Sequence, residues 1–332
     1  MKIWIKKETI VATVTDFYLD VIAQGLTLAG HEAPSAYEWE EMDIQPGDRV
    51  LVIGATRARE LWKKKIPYLY WAQGVWPEES YMRYHSVIRY LVQSYLERKS
   101  LKKAEFVFFV SDAMKKHYEK KYRLKFEGKF YIMPCVNEEF HRESFHAPGK
   151  YENRVFCYAG GLSEWQCFEE TVALYRKIEE KYPDSKLLLL VKERDKALEV
   201  LQKYGVNNYE INYVPREELE QVLKGAAFGF VLRKDSAVNK VATPTKALTY
   251  LANGLIPVYS RCLEGLRGIL GDTRHAVCCA DEGDISGIGP MMENSVNSEE
   301  VQKEFEAIYH KHYDPKRHIQ QIAALFKARL EP

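Results

Sequence analysis

The 332-residue chain has no apolar run long enough to cross a bilayer. Its first thirty residues lack the basic, apolar and small-residue regions of a secretory signal. The six cysteines show no C-x-x-C and no metal-ligand spacing, and the adjacent Cys278 and Cys279 are badly placed to pair with each other. Free thiols in a reducing cytoplasm are therefore expected. There is no repeat at solenoid spacing, no low-complexity tract, no G-x-G-x-x-G fingerprint and no Asp-x-Asp. Neither half is basic enough to argue for nucleic acid.

What is present is ordinary globular material, 46% apolar and 29% charged, in a chain too long for one typical core. The 22 tyrosines lift the aromatic share to 13%, which suits ring-lined clefts. A net charge of +1 conceals a basic stretch: residues 98–129 hold eleven basic and four acidic side chains. Two readings stand for that stretch. It is a solvated face, or it makes peripheral contact with an anionic membrane, with rings from a helix over Tyr81–Leu96 joining it.

Short apolar runs alternate with helical patterns, which predicts an α/β fold with parallel sheets. Strands are expected at Ile3–Ile5, Asp48–Ile53, Pro67–Trp71, Glu105–Val110 and Phe130–Met133, with a helix from about Asp16 to Leu28. The rhythm restarts with strands at Arg154–Ala159, Lys186–Val191, Tyr209–Tyr213, Phe228–Leu232 and Ile256–Tyr259. Between the halves, 137–153 is polar, aperiodic and carries Pro148-Gly149, the composition of a linker. Two doubly wound domains follow, with chemistry expected in the loops after the strands.

The strongest local signal is Thr243-Pro244-Thr245-Lys246 opening a helix that stops at Gly254. Thr243 is a natural N-cap and Pro244 suits the first turn. A lysine in the first turn opposes the helix dipole unless an anion compensates, so Lys246 points to a phosphate group. A well-capped helix with a solvated lysine is the alternative. Arg233 ends an apolar strand and suits bidentate contact with a diphosphate, though an Arg there also suits a plain surface. Gly160 and Gly161 let the backbone approach a ligand, with Ser163 close behind. In the first half, Trp71, Gln73, Gly74 and Trp76 follow a strand and offer rings and an amide to a sugar; buried tryptophan is the other reading. Asp16 is a base, an acceptor contact, or the N-cap of its helix.

These pieces resemble the GT-B glycosyltransferases. Gln24-Gly-Leu-Thr-Leu-Ala-Gly-His-Glu resembles the L-x-x-x-G-H-E end of their first helix. Phe109-Val-Ser-Asp-Ala-Met and Tyr131-Ile-Met-Pro-Cys-Val-Asn resemble their signatures near the interdomain linker. Pro244-Thr-Lys, Tyr250-Leu-Ala and Gly254-Leu-Ile-Pro-Val are similar to the P-x-K-x-x-E-Y-L-A-x-G-x-P-V block of retaining family 4, a type common in bacterial surface-polysaccharide synthesis. The family's Glu-x7-Glu pair falls on Val241 and Thr249, and its Lys-Gly lies near Trp165-Gln166.

The resemblance implies two Rossmann-like domains facing an interdomain cleft. An acceptor-side domain would span 1–145 and a nucleotide-sugar domain 150–312, with a helix over 315–330 returning to the first. The donor would meet Gly160, Gly161, Ser163, Val214, Thr243, Thr245 and Thr249, with Thr249 standing where the ribose-binding glutamate belongs. Arg233 and Lys246 would stabilise the leaving diphosphate, without a metal or other cofactor and with retention of configuration. Asp16, Trp71, Gln73, Gly74 and Trp76 would face a saccharide or lipid-linked acceptor. A non-catalytic sugar-nucleotide-binding subunit and a sugar-nucleotide epimerase are the competing expectations.

Overall fold

A computed structural model describes residues 2–8, 13–136, 138–162, 164–280 and 283–328; the side chains of 13 and 14 are not considered. The chain forms two compact units, one of Met1–Val136, Lys240–Thr243 and Lys311–Pro332, the other of Asn137–Asn239 and Pro244–His310.

In the first unit the order is β1 (Ile3–Lys6), α1 (Thr13–Leu28), β2 (Ser35–Ala36), β3 (Arg49–Ile53), α2 (Gly54–Lys64) and β4 (Tyr68–Ala72). There follow α3 (Trp76–Tyr84), α4 (Val87–Lys103), β5 (Phe106–Phe109), α5 (Asp112–Tyr122) and β6 (Phe130–Ile132). The strands run in parallel in the order β2-β1-β3-β4-β5-β6. A parallel sheet is covered on both faces, so its central strands read as unbroken apolar runs. Every residue of β4 and β5 is buried accordingly. The last helix of the chain, α14 below, completes this core. Its Phe326 packs between Phe106 and Phe108, and Gly25 of α1 lies so close to Ile322 that a Cβ would meet it at 2.7 Å.

The second unit runs β7 (Val155–Ala159), α6 (Phe168–Lys181), β8 (Lys186–Leu190), α7 (Arg194–Tyr204), β9 (Tyr209–Asn212), α8 (Leu219–Leu223) and β10 (Phe228–Val231). Next come α9 (Ala237–Val241), α10 (Thr245–Ala252), β11 (Ile256–Ser260), α11 (Glu264–Leu270), β12 (Val277–Cys279), α12 (Gly289–Glu293) and α13 (Ser298–His312). α9 spans the boundary between the units, and α14 (Pro315–Lys327) returns the chain to the first. The sheet is again parallel, in the order β12-β11-β10-β7-β8-β9. Phe156 and Phe228 stack across β7 and β10 at 4.4 Å.

Three sequence expectations are corrected here. The segment read as a linker packs into the second unit: Phe145 is buried against Phe140 and Phe305, and the Tyr151 hydroxyl donates to the Gly254 carbonyl at 2.9 Å. Asp16 does not cap α1; the helix begins at Thr13, and Asp16 accepts from the Tyr37 hydroxyl at 2.8 Å. The helix expected over Tyr81–Leu96 is two helices. His85 takes a left-handed φ of 49°, and Ser86 caps the second by accepting from the Arg89 amide. Apart from these, three lysines of the basic stretch 98–129 are paired with nearby carboxylates. Lys115 pairs with Glu119 at 3.0 Å, Lys116 with Asp112 at 2.6 Å and Lys121 with Glu78 at 2.7 Å.

Candidate functional site

The second unit brings Lys246, Arg233 and Gly160 together where β7 and β10 end and α10 begins. Tyr250 sets the position of α10. Its ring lies on Gly229 of β10, where a Cβ would fall 2.3 Å from it, and its hydroxyl accepts from the Ala159 amide at 2.9 Å. Any larger residue at 229 would lift the ring. One aromatic side chain thus ties α10 to two strands and fixes the turn that follows Ala159.

That turn is Gly160, at a φ of +138° that side-chain-bearing residues rarely adopt. A Cβ there would lie 3.3 Å from the Lys246 Nζ. Gly161 is exposed, its carbonyl accepting from the Tyr158 hydroxyl at 2.7 Å. The Tyr158 ring carries the Lys246 ammonium 4.0 Å from its centroid. The Nζ is buried and, among the described residues, has no hydrogen-bond partner. Burial, then the positive charge of Arg233, hold this lysine well below its usual range. Among the described residues the anion-forming groups acting on it are the thiols of Cys157 and Cys167.

Arg233 is 8% exposed and held from several sides. Its amide donates to Ser260 Oγ at 2.9 Å, Nη1 to the Leu232 carbonyl at 2.7 Å and Nη2 to Gln166 Oε1 at 2.8 Å. Burial lowers its pKa too. All of these partners are neutral, so among the described residues two basic groups share a buried site without a counter-charge. Such an arrangement is costly unless an anion enters. Sequence reasoning did not give Gln166 this role, because its contact with Arg233 spans 67 positions and no local pattern encodes it.

The helix behind Lys246 adds to the field. α10 has Pro244 at its N-cap position and no capping side chain; the Ala247 amide donates to the Pro244 carbonyl at 2.9 Å, and the two amides before it have no partner within the helix. Thr243 is therefore not the N-cap, contrary to expectation; it belongs with the first unit and lies beside Cys135. Thr245 is exposed at the first position of α10, and Val214 is half-buried just past β9. Thr249 is corrected as a ribose contact. It is buried and its hydroxyl donates to the Thr245 carbonyl in its own helix. Ser163 lies outside the described residues.

In the first unit Gln73, Gly74 and Trp76 border a cavity of about 190 Å³ that also meets Glu79 and Glu97. Trp71 is corrected. β4 extends past it, its ring is fully buried edge-on to Tyr18, and no ligand face remains. A Cβ at Gly74 would sit 2.1 Å from Glu79 Oε1 and displace that carboxylate. Glu97 accepts from the hydroxyls of Tyr122 at 2.6 Å and Tyr118 at 3.2 Å, and Lys121 stands 3.8 Å away. Burial pushes its pKa up to about 7, against the pull of the Tyr122 hydrogen bond and the Lys121 charge.

No protein-family model and no curated sequence matches this chain. Solved structures do. The sucrose-phosphate synthase of Thermosynechococcus elongatus superposes with a TM-score of 0.72 at 11% identity, covering 99% of each chain. HepE of Anabaena, in complex with UDP and glucose, gives 0.67 at 12% identity over 99% of this chain and 100% of its own. A glycosyltransferase from Rickettsia africae gives 0.66 at 12% identity, over 99% and 98%. At these identities the likeness shows the fold alone: the chain has the GT-B architecture of two Rossmann-like domains.

Proposed function

We propose that the protein is a glycosyltransferase that takes a hexosyl group from a nucleoside-diphosphate sugar and passes it to a saccharide or lipid-linked acceptor. One observation carries this reading: the buried, unpartnered Lys246 ammonium beside Arg233, at an uncapped helix N-terminus and against a glycine turn. A diphosphate supplies the missing negative charge. It gains charge as the glycosidic bond to the donor breaks, so fixed cations aimed at it stabilise the transition state more than the ground state. Two such cations, supplied by the chain itself, support a transfer that needs no divalent ion. Retention of configuration rests on the resemblance of the Pro244–Val258 block to the retaining family.

The bound anion also raises the pKa of Lys246, because a nearby negative charge favours the charged form. Gln166 holds the Arg233 guanidinium, and Ser260 accepts from its backbone amide. On the acceptor side, Gln73 and Trp76 offer an amide and a ring to a saccharide. Asp16 keeps one carboxylate oxygen on Tyr37, and the other accepts from a sugar hydroxyl.

The inward turn of Thr249 and the valine at 241 favour a second reading, a sugar-nucleotide-binding subunit without turnover. One experiment separates them. A panel of nucleoside diphosphates and their hexose conjugates is first screened for a rise in melting temperature, which a ligand of the folded state alone produces. The stabilising conjugate is then incubated with the protein, and release of free nucleoside diphosphate is followed. Stabilisation with release is the expected result. Stabilisation without release, with or without added saccharide, leaves the binding subunit, and no stabilisation by any diphosphate removes the anion-site reading.

A further inference from the structure

α4 has its polarity inside out. Most of the side chains it turns inward are polar: Glu97 and Ser100 are fully buried beside Leu101, and Gln93 and Ser94 are half-buried. The apolar ones face outward. Val87, Ile88, Leu91, Val92 and Tyr95 form a stripe at helical spacing, with Ile88 78% and Leu91 61% exposed. Tyr81, Met82 and Tyr84 of α3 continue it. Eight of the fourteen exposed large apolar side chains among the described residues fall between 81 and 95, so this is a patch and not scatter.

Its charge is one-sided. No Asp or Glu occurs from Ser80 to Leu96. Arg83 and Arg89 both lie over the Tyr84 ring, at 5.3 and 4.2 Å. Arg98, Lys99, Lys102 and Lys103 follow on α4, with Lys99 over the rings of Trp62 and Tyr95. A second copy docked on this face would bring basic groups against basic groups with no carboxylate between them. A surface that is apolar within and anionic at its border matches both features, and tyrosine and arginine are the side chains suited to that border.

We propose that the α3–α4 hairpin docks the protein onto an anionic lipid bilayer, with the Ile88–Leu91 stripe entering the headgroup region and Arg83 and Arg89 on the phosphates. This moves the centre of the contact first expected at 98–129, where Lys115, Lys116 and Lys121 of α5 are paired with carboxylates. It stands on the hairpin alone and does not depend on sugar transfer.

The test is co-sedimentation of the full chain with vesicles of phosphatidylcholine, with or without about a third phosphatidylglycerol, at low and high salt. Strong binding to the anionic vesicles, lost at high salt, is expected. The paired change Ile88→Ser with Leu91→Ser weakens it at least about tenfold by removing the inserted surface. Arg83→Gln with Arg89→Gln weakens it about tenfold through lost headgroup attraction. Lys116→Gln, on α5, leaves it unchanged. All changed side chains are exposed, so circular dichroism melting curves should overlay; if the double variant melts early, Ile88→Ser alone replaces it. Wild-type protein that stays in the supernatant at low salt overturns the proposal. So does binding that the Ile88 and Leu91 changes leave intact. A dimer in solution that Ile88→Ser dissociates, without vesicle binding, reassigns the face to a second copy.

Discussion

Glu97 in the first unit and Lys246 in the second are both ionisable groups removed from water, and their surroundings differ in kind. Glu97 has two tyrosine hydroxyls on its oxygens and a lysine within 4 Å. Lys246 has the face of one ring, another cation and no hydrogen bond. A buried charge whose partners are all present holds elements together: here α4 is tied to α5. A buried charge whose partners are missing contributes nothing to the resting fold, and its surroundings describe a ligand instead. The contrast between satisfied and unsatisfied burial separates framework from receptor more sharply than burial alone.

The contrast breaks most visibly in catalysis. Lys246→Ala and Arg233→Ala should each lower donor turnover by about a hundredfold, the equivalent of one transition-state charge contact worth roughly 3 kcal/mol. Steady-state release of nucleoside diphosphate checks this, and wild-type rates in both would dissolve the distinction. Stability should respond the other way round. Glu97→Ala strands the Tyr122 hydroxyl, while Tyr118 keeps its 2.6 Å bond to the Gly74 carbonyl, and should cost about 2 kcal/mol in urea denaturation. Lys246→Met removes an unpaired buried amine and should be neutral or stabilising by about 1 kcal/mol.

A smaller effect is expected from Gly160→Ala. The strained φ costs roughly 1–3 kcal/mol, and the new methyl presses on the Lys246 amine. The melting-temperature rise on adding nucleoside diphosphate should shrink; an undiminished rise would place the anion elsewhere.

The pH dependence of stability sharpens the same comparison with the gentlest perturbation. Glu97 has its pKa raised from 4.5 to about 7, so the folded state holds the proton more tightly. Its contribution is complete below about 4.5 and declines as pH rises through about 7. In the second unit Lys150 is buried, with its ammonium on the carbonyls of Leu223 and Lys224 and its pKa lowered from 10.5 to about 7 by burial. Its contribution is complete above about 10.5 and declines as pH falls toward 7. Urea midpoints across pH should lose the first slope in Glu97→Gln and the second in Lys150→Met. If each variant tracks the wild type, these two groups do not titrate as described.

Much of the second sheet is legible in the sequence because strands buried on both faces are written as continuous apolar runs. The strand expected at Lys186–Val191 is observed at Lys186–Leu190, and the one at Ile256–Tyr259 ends one residue later. The same rule misleads at Trp71, where the strand runs one residue beyond the ring and draws it into the core. β12, with three residues, is too short to leave a periodic signal. Lys246 and Arg233 are legible because a first-turn lysine and a strand-end arginine conflict with their local settings. The cap is not, because Thr243 has the right chemistry but the chain turns so that Pro244 takes the position. Gln166 and Tyr250 act through contacts between distant elements, which no window of sequence contains.

The return of α14 to the first unit has a consequence for how the protein is made. Phe326 and Ile322 are part of a core whose other members, among them Phe106, Phe108 and Gly25, are synthesised some two hundred or more positions earlier. Between Val136 and Pro315 the ribosome spends roughly ten to forty seconds, at about 5–20 residues per second. By the end of that interval the second unit has nearly all of its own sequence, while the amino-terminal half still has a groove where α14 belongs. The half that is translated first is therefore finished last, and a nascent chain stalled anywhere before α14 presents open aromatic surface to the chaperones around it.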